Sequence, residues 1–478
     1  MTSASTLTRG ADVTLTDQLA ARYAERISQR LLPAGARLPS VRECARRHAV
    51  SASTVVAAYD RLLAQGLIVA RRQRGFFVRD ALRAAPADEG EARRAAPAHT
   101  RGVAPLSATA LMRSMFQPPG AQPMPGLGTL PLDWLDAGLL AAALRRVSGP
   151  GALAGSALRY GEPAGDAQLR RALALRLADL GIRAEAGQII TTVGATQALD
   201  VVTRALARAG DAVLVDEPGW PVEYARLEAL GLTVLPVPRG DDGPDLGVME
   251  QLLRAHAPRL YVTVSVLHNP TGASLSLSAA HRLLSLAQRH ELRIVEDDSY
   301  AHFAPAHQPR LAALDGLQRT IYISGFSKIL APGWRVGFIA APPSLVDRFV
   351  DARLLASLTT PALAEQALAH CLDNGALRRH AERIVARLDS ARARTVRLAE
   401  AAGCRFAAPP RGLFGWVDAG ADTERLAQRL LDDDGGWLIA PGALFHARHR
   451  PSTLMRINFA TAQDQRFWRA LARARNEG

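Results

Sequence analysis

The sequence predicts a multidomain chain: a small α+β unit of three helices and a β-hairpin, followed by a large α/β domain on a mostly parallel sheet. Three observations carry this reading. Apolar residues recur at helical spacing through the first 66 positions, then give way to two short apolar runs around an arginine-rich turn. Residues 82–105, LRAAPADEGEARRAAPAHTRGVAP, contain no aromatic residue and no periodicity, the composition of a flexible linker. Beyond them, short β-branched runs alternate with helix-like stretches, as in strands joined by crossover helices. The expected boundaries are 1–81 for the first unit, 82–105 for the linker and 106–478 for the large domain, itself divided at about 155–343 and 344–478.

Composition narrows the function. A chain of 478 residues, 48% of them apolar, can fill more than one core. Its formal charge of +13 suits a polyanionic partner, although an arginine-rich composition gives the same balance without one. Cys44, Cys371 and Cys404 lie far apart with no C-x-x-C spacing, so neither a disulfide framework nor a metal site is expected. The opening MTSASTLTRGADVTL has no apolar segment and no run of 18 apolar residues occurs, so the expectation is a cytoplasmic protein without a membrane span.

In the first unit, Leu15, Leu19, Tyr23, Ile27 and Leu31 recur every four residues and predict a helix ended by Pro33 and Gly35. LPSVRECARRHAV offers Ser40 as N-cap with Glu43 three residues on, a capping box that opens a second helix. SASTVVAAYDRLLAQG starts a third at Ser51, buries Val55, Tyr59, Leu62 and Leu63, and stops at Gly66. LIVARRQRGFFVRD reads as a hairpin whose turn ends at Gly75. Three helices and a basic hairpin are the plan of a winged helix-turn-helix, whose third helix enters the major groove of double-stranded DNA. Charge agrees, since residues 1–80 hold 13 arginines against 6 acids.

LPSVRECARRHAVSASTVVAAYDRLLAQGLI and RGFFV resemble the N-terminal domain of GntR-type bacterial regulators. The resemblance implies that Arg42, Ser51, Ser53 and Thr54 face phosphates and base edges, with Arg71, Arg72 and Arg74 on the wing and Gly75 at its turn. Ala52 departs from the pattern: many relatives have arginine there, so a bidentate guanine contact is missing.

In the large domain the strand-like runs are QIITTV (188–193), AVLV (212–215), RLYVTVS (259–265), LRIVED (292–297), RTIYIS (319–324) and RVGFIA (335–340). Ligands of such sheets sit beyond the carboxyl ends of the strands. Polar residues gather there: Gly194-Ala195-Thr196-Gln197 opening a helix, His268-Asn269-Pro270-Thr271-Gly272, and Glu296-Asp297-Asp298-Ser299-Tyr300. Lys328 follows RTIYIS and is the one lysine among 58 Lys+Arg positions, with Arg335 seven residues on. Arginine supplies surface charge and phosphate contacts at least as well, whereas only an amine becomes neutral and condenses with an aldehyde. Pyridoxal phosphate needs such an amine, a carboxylate for its ring nitrogen, donors for its phenolic oxygen, and N–H groups and arginine for its phosphate.

The order of these motifs resembles fold-type-I, class I/II aminotransferase-like enzymes, an α/β fold with a smaller α/β C-terminal subdomain. The resemblance implies that Lys328 forms the internal aldimine, that Asp297 pairs with the pyridine nitrogen, and that Asn269 and Tyr300 bind the phenolic oxygen. It places Trp220 of DEPGWP on the ring, and the phosphate on Ala195, Thr196, Ser327 and Arg335. It implies a homodimer, in which Tyr160 of YGEPAG reaches the phosphate of the partner subunit, and it gives Arg456 of LMRINFA to a substrate carboxylate. Gly325 departs from the pattern, standing where relatives often have a hydroxyl. His446 and His449 of FHARHR, with no acidic neighbour in sequence, read as rim residues rather than metal ligands.

A GntR-like reader tethered to an aminotransferase-like domain resembles the MocR family of regulators. That resemblance implies a transcriptional regulator that senses pyridoxal phosphate or a small amino compound at Lys328; the alternative is an aminotransferase that carries a DNA-binding domain.

Overall fold

The computed structural model describes residues 13–71, 74–79, 107–114, 124–149, 151, 153, 158–432 and 436–476. Arg72, the 82–105 segment and the middle of the DDDGG run therefore lie outside the described residues.

The reader contains α1 (Leu15–Ser28), α2 (Val41–Arg47), α3 (Ala52–Ala64) and an antiparallel hairpin of β1 (Ile68–Arg71) and β2 (Gly75–Val78). Its core is Leu19, Tyr23, Cys44, Val55, Tyr59 and Leu62, closed by Ile68 and Val78 of the hairpin, with Leu63 only partly buried beside it. The Tyr59 ring stands edge-on to Tyr23 at 5.9 Å and to Phe76 at 4.9 Å, which ties the helices to the wing. Thr14, Ser40 and Ser51 cap the three helices, each accepting from a backbone N–H three residues on. One expectation needs correction. The first helix stops at Ser28, short of Leu31, because Arg30 turns left-handed at φ 57. Leu31 is buried instead in the core of the large domain, and Arg26 donates to the Leu431 carbonyl there.

The large sheet has the order β3-β10-β9-β8-β7-β4-β5-β6. Strands β9 (Thr320–Gly325), β8 (Arg293–Asp297), β7 (Leu260–Thr263), β4 (Ala212–Glu217) and β5 (Thr233–Gly240) run parallel. Strand β10 (Gly337–Ala340) is antiparallel to both β9 and β3 (Ile189–Thr192), and β6 (Gly243–Pro244) is antiparallel to β5. Strands β3, β7, β9 and β10 are buried along their whole length and β4 and β8 at all but their end residues, as expected of a sheet with helices on both faces. Strand β5 is not among the six expected runs, because Pro236 and Pro238 argue against a strand. The two prolines are two residues apart, so their missing N–H groups fall on one side of β5, which borders only the two-residue β6.

The smaller C-terminal sheet, β11-β12-β14-β13, is antiparallel throughout. It consists of β11 (Arg405–Phe406), β12 (Phe414–Asp418), β13 (Ala440–Pro441) and β14 (Leu454–Asn458), and carries the helices Ala376–Ala401, Thr423–Asp432 and Gln465–Asn476. A strap of chain over 124–130 is fastened to it: Gly126 donates to the Leu438 carbonyl and Asn458 to the Pro125 carbonyl. The same strap reaches the large sheet, where its Gly128 carbonyl meets Lys328 just past the end of β9.

Candidate functional site

On the reader, Ser51 serves the fold before it serves a ligand. Its Oγ accepts from Thr54 N at 3.1 Å and lies 2.7 Å from Ser53 Oγ and 2.8 Å from Thr54 Oγ1. The three hydroxyls thus form one cluster at the start of α3, with Ser51 and Ser53 exposed. Arg42, Arg71 and Arg74 are exposed on the same domain. The guanidinium of Arg71 rests 4.6 Å over the Phe77 ring, which holds it along the wing. Gly75 has φ 98, a conformation that L side chains avoid, and a Cβ there would meet Arg37 at 3.5 Å. Arg37, bridged to Phe77, is a wing residue that the sequence did not reveal, since two whole helices separate it from the hairpin it joins.

At the rim of the large sheet, alternation along β8 sorts three consecutive acids. Glu296 is buried below, where it accepts from Leu311 N, Ala312 N and Ser265, and burial pushes its carboxyl up to about 7. Asp298 is locked by Arg310 Nε at 2.6 Å and the Tyr322 hydroxyl at 2.8 Å. Asp297 takes only the N–H and hydroxyl of Ser299, and burial, helped by the charge of Glu223, raises it to about 6. Among the described residues no cation is bonded to it, and a protonated ring nitrogen would supply one.

Lys328 Nζ donates to the Gly128 carbonyl at 2.8 Å. Burial first, then the charge of Arg456, brings its amine down to about 8, within reach of the neutral form. Arg456, on β14, lies 4.5 Å over the Phe414 ring and 5.2 Å from Phe445, and burial lowers it to about 10. Its Nη1 donates to Asn269 Oδ1 at 2.9 Å, its Nη2 to the Gly126 carbonyl at 2.7 Å, and its buried Nε has no partner among the described residues. Asn269 Nδ2 lies 3.4 Å from the Tyr300 hydroxyl. Arg456, Asn269 and Tyr300 are therefore joined in one polar chain, and Lys328 meets the same strap two residues along, at Gly128.

The anion end is built by a close crossing of strands. Gly194 opens the helix Ala195–Leu206 at φ 80 without a side-chain cap, leaving the first N–H groups to other acceptors. Arg335 Nη1 donates to Ser327 Oγ at 3.0 Å and Nη2 to the Val193 carbonyl at 3.1 Å. A Cβ on Gly194 would sit 2.6 Å from Arg335, so glycine is what lets the guanidinium reach this turn. Gly325 lies here as well, where a Cβ would stand 3.5 Å from Ala195 N. Trp220, partly buried, precedes the helix Pro221–Ala229. Amine, carboxylate, donor pair and anion turn together fit pyridoxal phosphate.

Tyr160 stands apart from this cluster, 84% exposed in the single chain. The fold gives His446 and His449 each an acidic neighbour that the local sequence does not show. His446 Nδ1 lies 3.7 Å from Glu217 and His449 Nε2 lies 2.8 Å from Glu424, carboxylates too distant in sequence to be seen beforehand. Among the described residues no group of three His, Cys, Asp or Glu could hold a metal ion, and no helix is long and apolar enough to cross a membrane. The sequence also missed the strap, because Gly126 and Gly128 act through backbone carbonyls and leave no side-chain signature.

Known proteins divide along the same lines. Residues 134–473 match the aminotransferase class I and II family, and residues 15–78 match the bacterial regulatory proteins of the gntR family. The chain is similar to the probable rhizopine catabolism regulatory protein MocR of Rhizobium meliloti, 31% identical over 465 residues that cover 91% of this chain and 86% of that protein. It is 26% identical to YisV, an uncharacterized HTH-type transcriptional regulator of Bacillus subtilis, over 95% of this chain and 94% of the relative. Among solved structures, LysN of Thermus thermophilus, an α-aminoadipate aminotransferase complexed with N-(5'-phosphopyridoxyl)-L-leucine, is 28% identical with a TM-score of 0.67, covering 74% of this chain and 91% of that one.

Proposed function

By its two domains the chain belongs to the MocR family of transcriptional regulators, and from that premise we propose that its hold on DNA is set by what occupies the Lys328 rim. The large domain is of the pyridoxal 5'-phosphate-dependent kind. When bound, that cofactor supplies an aldehyde for an amine and an electron-withdrawing ring. Lys328 provides the amine, Asp297 a carboxylate for the ring nitrogen, and Asn269 and Tyr300 the contacts to the phenolic oxygen. The N–H groups of Ala195 and Thr196, with Ser327 and Arg335, would hold its phosphate, and Trp220 would pack against its ring.

The observation that carries the sensing role is the linkage of Lys328 and Arg456 through the strap, whose carbonyls hold both cations. An effector with an amine and a carboxylate would address both at once: its amine would lie at the Lys328 end of the rim, and its carboxylate would compete with the Gly126 carbonyl for Arg456. Binding thus favours a different strap and subdomain arrangement, and the reader is repositioned with it. Double-stranded DNA is read by α3 and the wing, with Arg42, Ser53, Thr54, Arg71 and Arg74 against the phosphates and base edges. Two copies pair so that exposed Tyr160 meets the phosphate of the other subunit.

The test is a mobility shift on DNA upstream of the protein's own gene, with and without pyridoxal phosphate and candidate amino acids, using wild type and Lys328→Ala. A variant that binds DNA normally yet ignores ligand supports sensing. Wild type that binds no DNA at moderate salt, while turning over amino donors, supports an aminotransferase instead.

A further inference from the structure

The loop that carries Tyr160 is held far more firmly than its exposed tip needs. Glu365, 1% exposed on the helix Ala362–Asp373, accepts from Asp166 N at 2.9 Å and from the hydroxyls of Thr191 and Thr360. Arg353, fully buried, donates to Thr360 Oγ1 at 3.0 Å and to the Pro163 carbonyl. Thr191 N donates to the Ala164 carbonyl at 3.0 Å, and a Cβ on Gly165 would fall 1.9 Å from Thr191 Oγ1. Residues 163–166 are thus fastened at every step, although no contact for the Tyr160 side chain is found among the described residues.

The fastening has a direction. Thr191 lies on β3, three residues before Gly194, where the anion-binding turn begins. Glu365 therefore ties the base of the Tyr160 loop to the strand that carries the anion turn of the same chain. Two buried charges are an expensive way to pack a loop, because each loses its hydration. A carboxylate is nevertheless the group that can accept from three donors at once, whereas a glutamine amide would turn an N–H against one of them.

We propose that Glu365, bridged to Arg353 by Thr360, is a positioning residue that fixes the Tyr160 loop against β3, so that each subunit presents its tyrosine at the set distance required by the phosphate site of its partner. This rests on the reading of Tyr160 as a contact to that phosphate. Glu365 acts through Tyr160 and touches no ligand itself.

A double-mutant cycle on the full-length protein tests it, reading the pyridoxal phosphate dissociation constant from a titration of visible absorbance. Tyr160→Phe weakens binding roughly tenfold, and Glu365→Gln roughly fivefold in the wild-type background, as for loss or misplacement of one hydrogen bond to a charged group. In the Tyr160→Phe background Glu365→Gln changes binding less than about twofold, because the hydroxyl it positions is gone. Should Glu365→Gln fail to fold, Thr360→Val takes its place, and Thr360→Ser restores tight binding by returning the hydroxyl. Equal factors in both backgrounds, or no effect of Glu365→Gln on the wild type, overturn the proposal while leaving the cofactor reading intact. Wild-type protein that takes up no pyridoxal phosphate overturns both.

Discussion

In the reader, Arg42, Arg71 and Arg74 stand in solvent, whereas on the rim Arg456 is 4% exposed and Lys328 is wedged beneath a strap. The two regions use cations differently. Exposed guanidinium groups keep their charge, act over a Debye length and bind a polyanion through many weak contacts that salt erodes. Buried cations lose hydration, shift toward neutrality and gain strength for a ligand that fits. Reader function should therefore degrade gradually with substitution, and rim function should fail abruptly.

The most severe break is Lys328→Ala. Borohydride fixes pyridoxal phosphate to the wild-type peptide bearing residue 328, and the variant gives no such adduct by mass spectrometry, since no other lysine exists in the chain. Next, Arg456→Leu weakens a carboxylate-bearing effector on the order of 30-fold, as loss of a desolvated charge pair does, and weakens the cofactor by a smaller factor, since Arg456 also holds Asn269 and lowers the Lys328 amine. Isothermal titration with and without the substitution measures both.

Hydrogen-ion dependence sharpens the contrast. With Lys328 lowered to about 8, its amine is mostly charged below that pH and mostly neutral above it. The initial rate of adduct formation should rise about tenfold between about pH 7 and 9 and level off beyond, as one titration requires. A flat profile would mean that burial does not control the amine.

Smaller effects belong to the reader. Arg74→Ala lowers DNA affinity about fivefold and reduces the slope of log affinity against log salt by about 0.9, one phosphate contact, without touching cofactor uptake. Smallest is Ser51→Ala, which removes a helix cap and costs about 1 kcal/mol of stability in thermal unfolding of the reader. A larger loss of DNA affinity than of stability there would show that Ser51 also contacts DNA.

Legibility followed the same division. The caps at Ser40 and Ser51, the glycine at 66 and the hairpin were readable because each is settled by residues a few positions apart. On the rim, the chemistry was readable from one lysine and an ordered set of strand ends, but several contacts were not. Gly126 and Gly128 contribute carbonyls, which every residue has. Phe414 and Phe445 flank Arg456 from other parts of the chain, and either ring would read as core in sequence. Asp297 and Asp298 look equivalent as letters, yet only Asp298 is consumed by Arg310 and Tyr322.

By itself the sequence determined that a basic helical reader is joined to an α/β domain with a single lysine amine, since local periodicity, capping and composition decide such things. Tertiary structure alone decided what leaves Asp297 without a cation among the described residues while Arg310 and Tyr322 hold Asp298, where the strap lies, and what holds the Tyr160 loop. Those depend on burial and on partners far away in the chain, such as Arg456 and Gly126, 330 residues apart. Desolvation and hydrogen-bond pairing are properties of three-dimensional neighbours, and adjacency in the chain does not encode them.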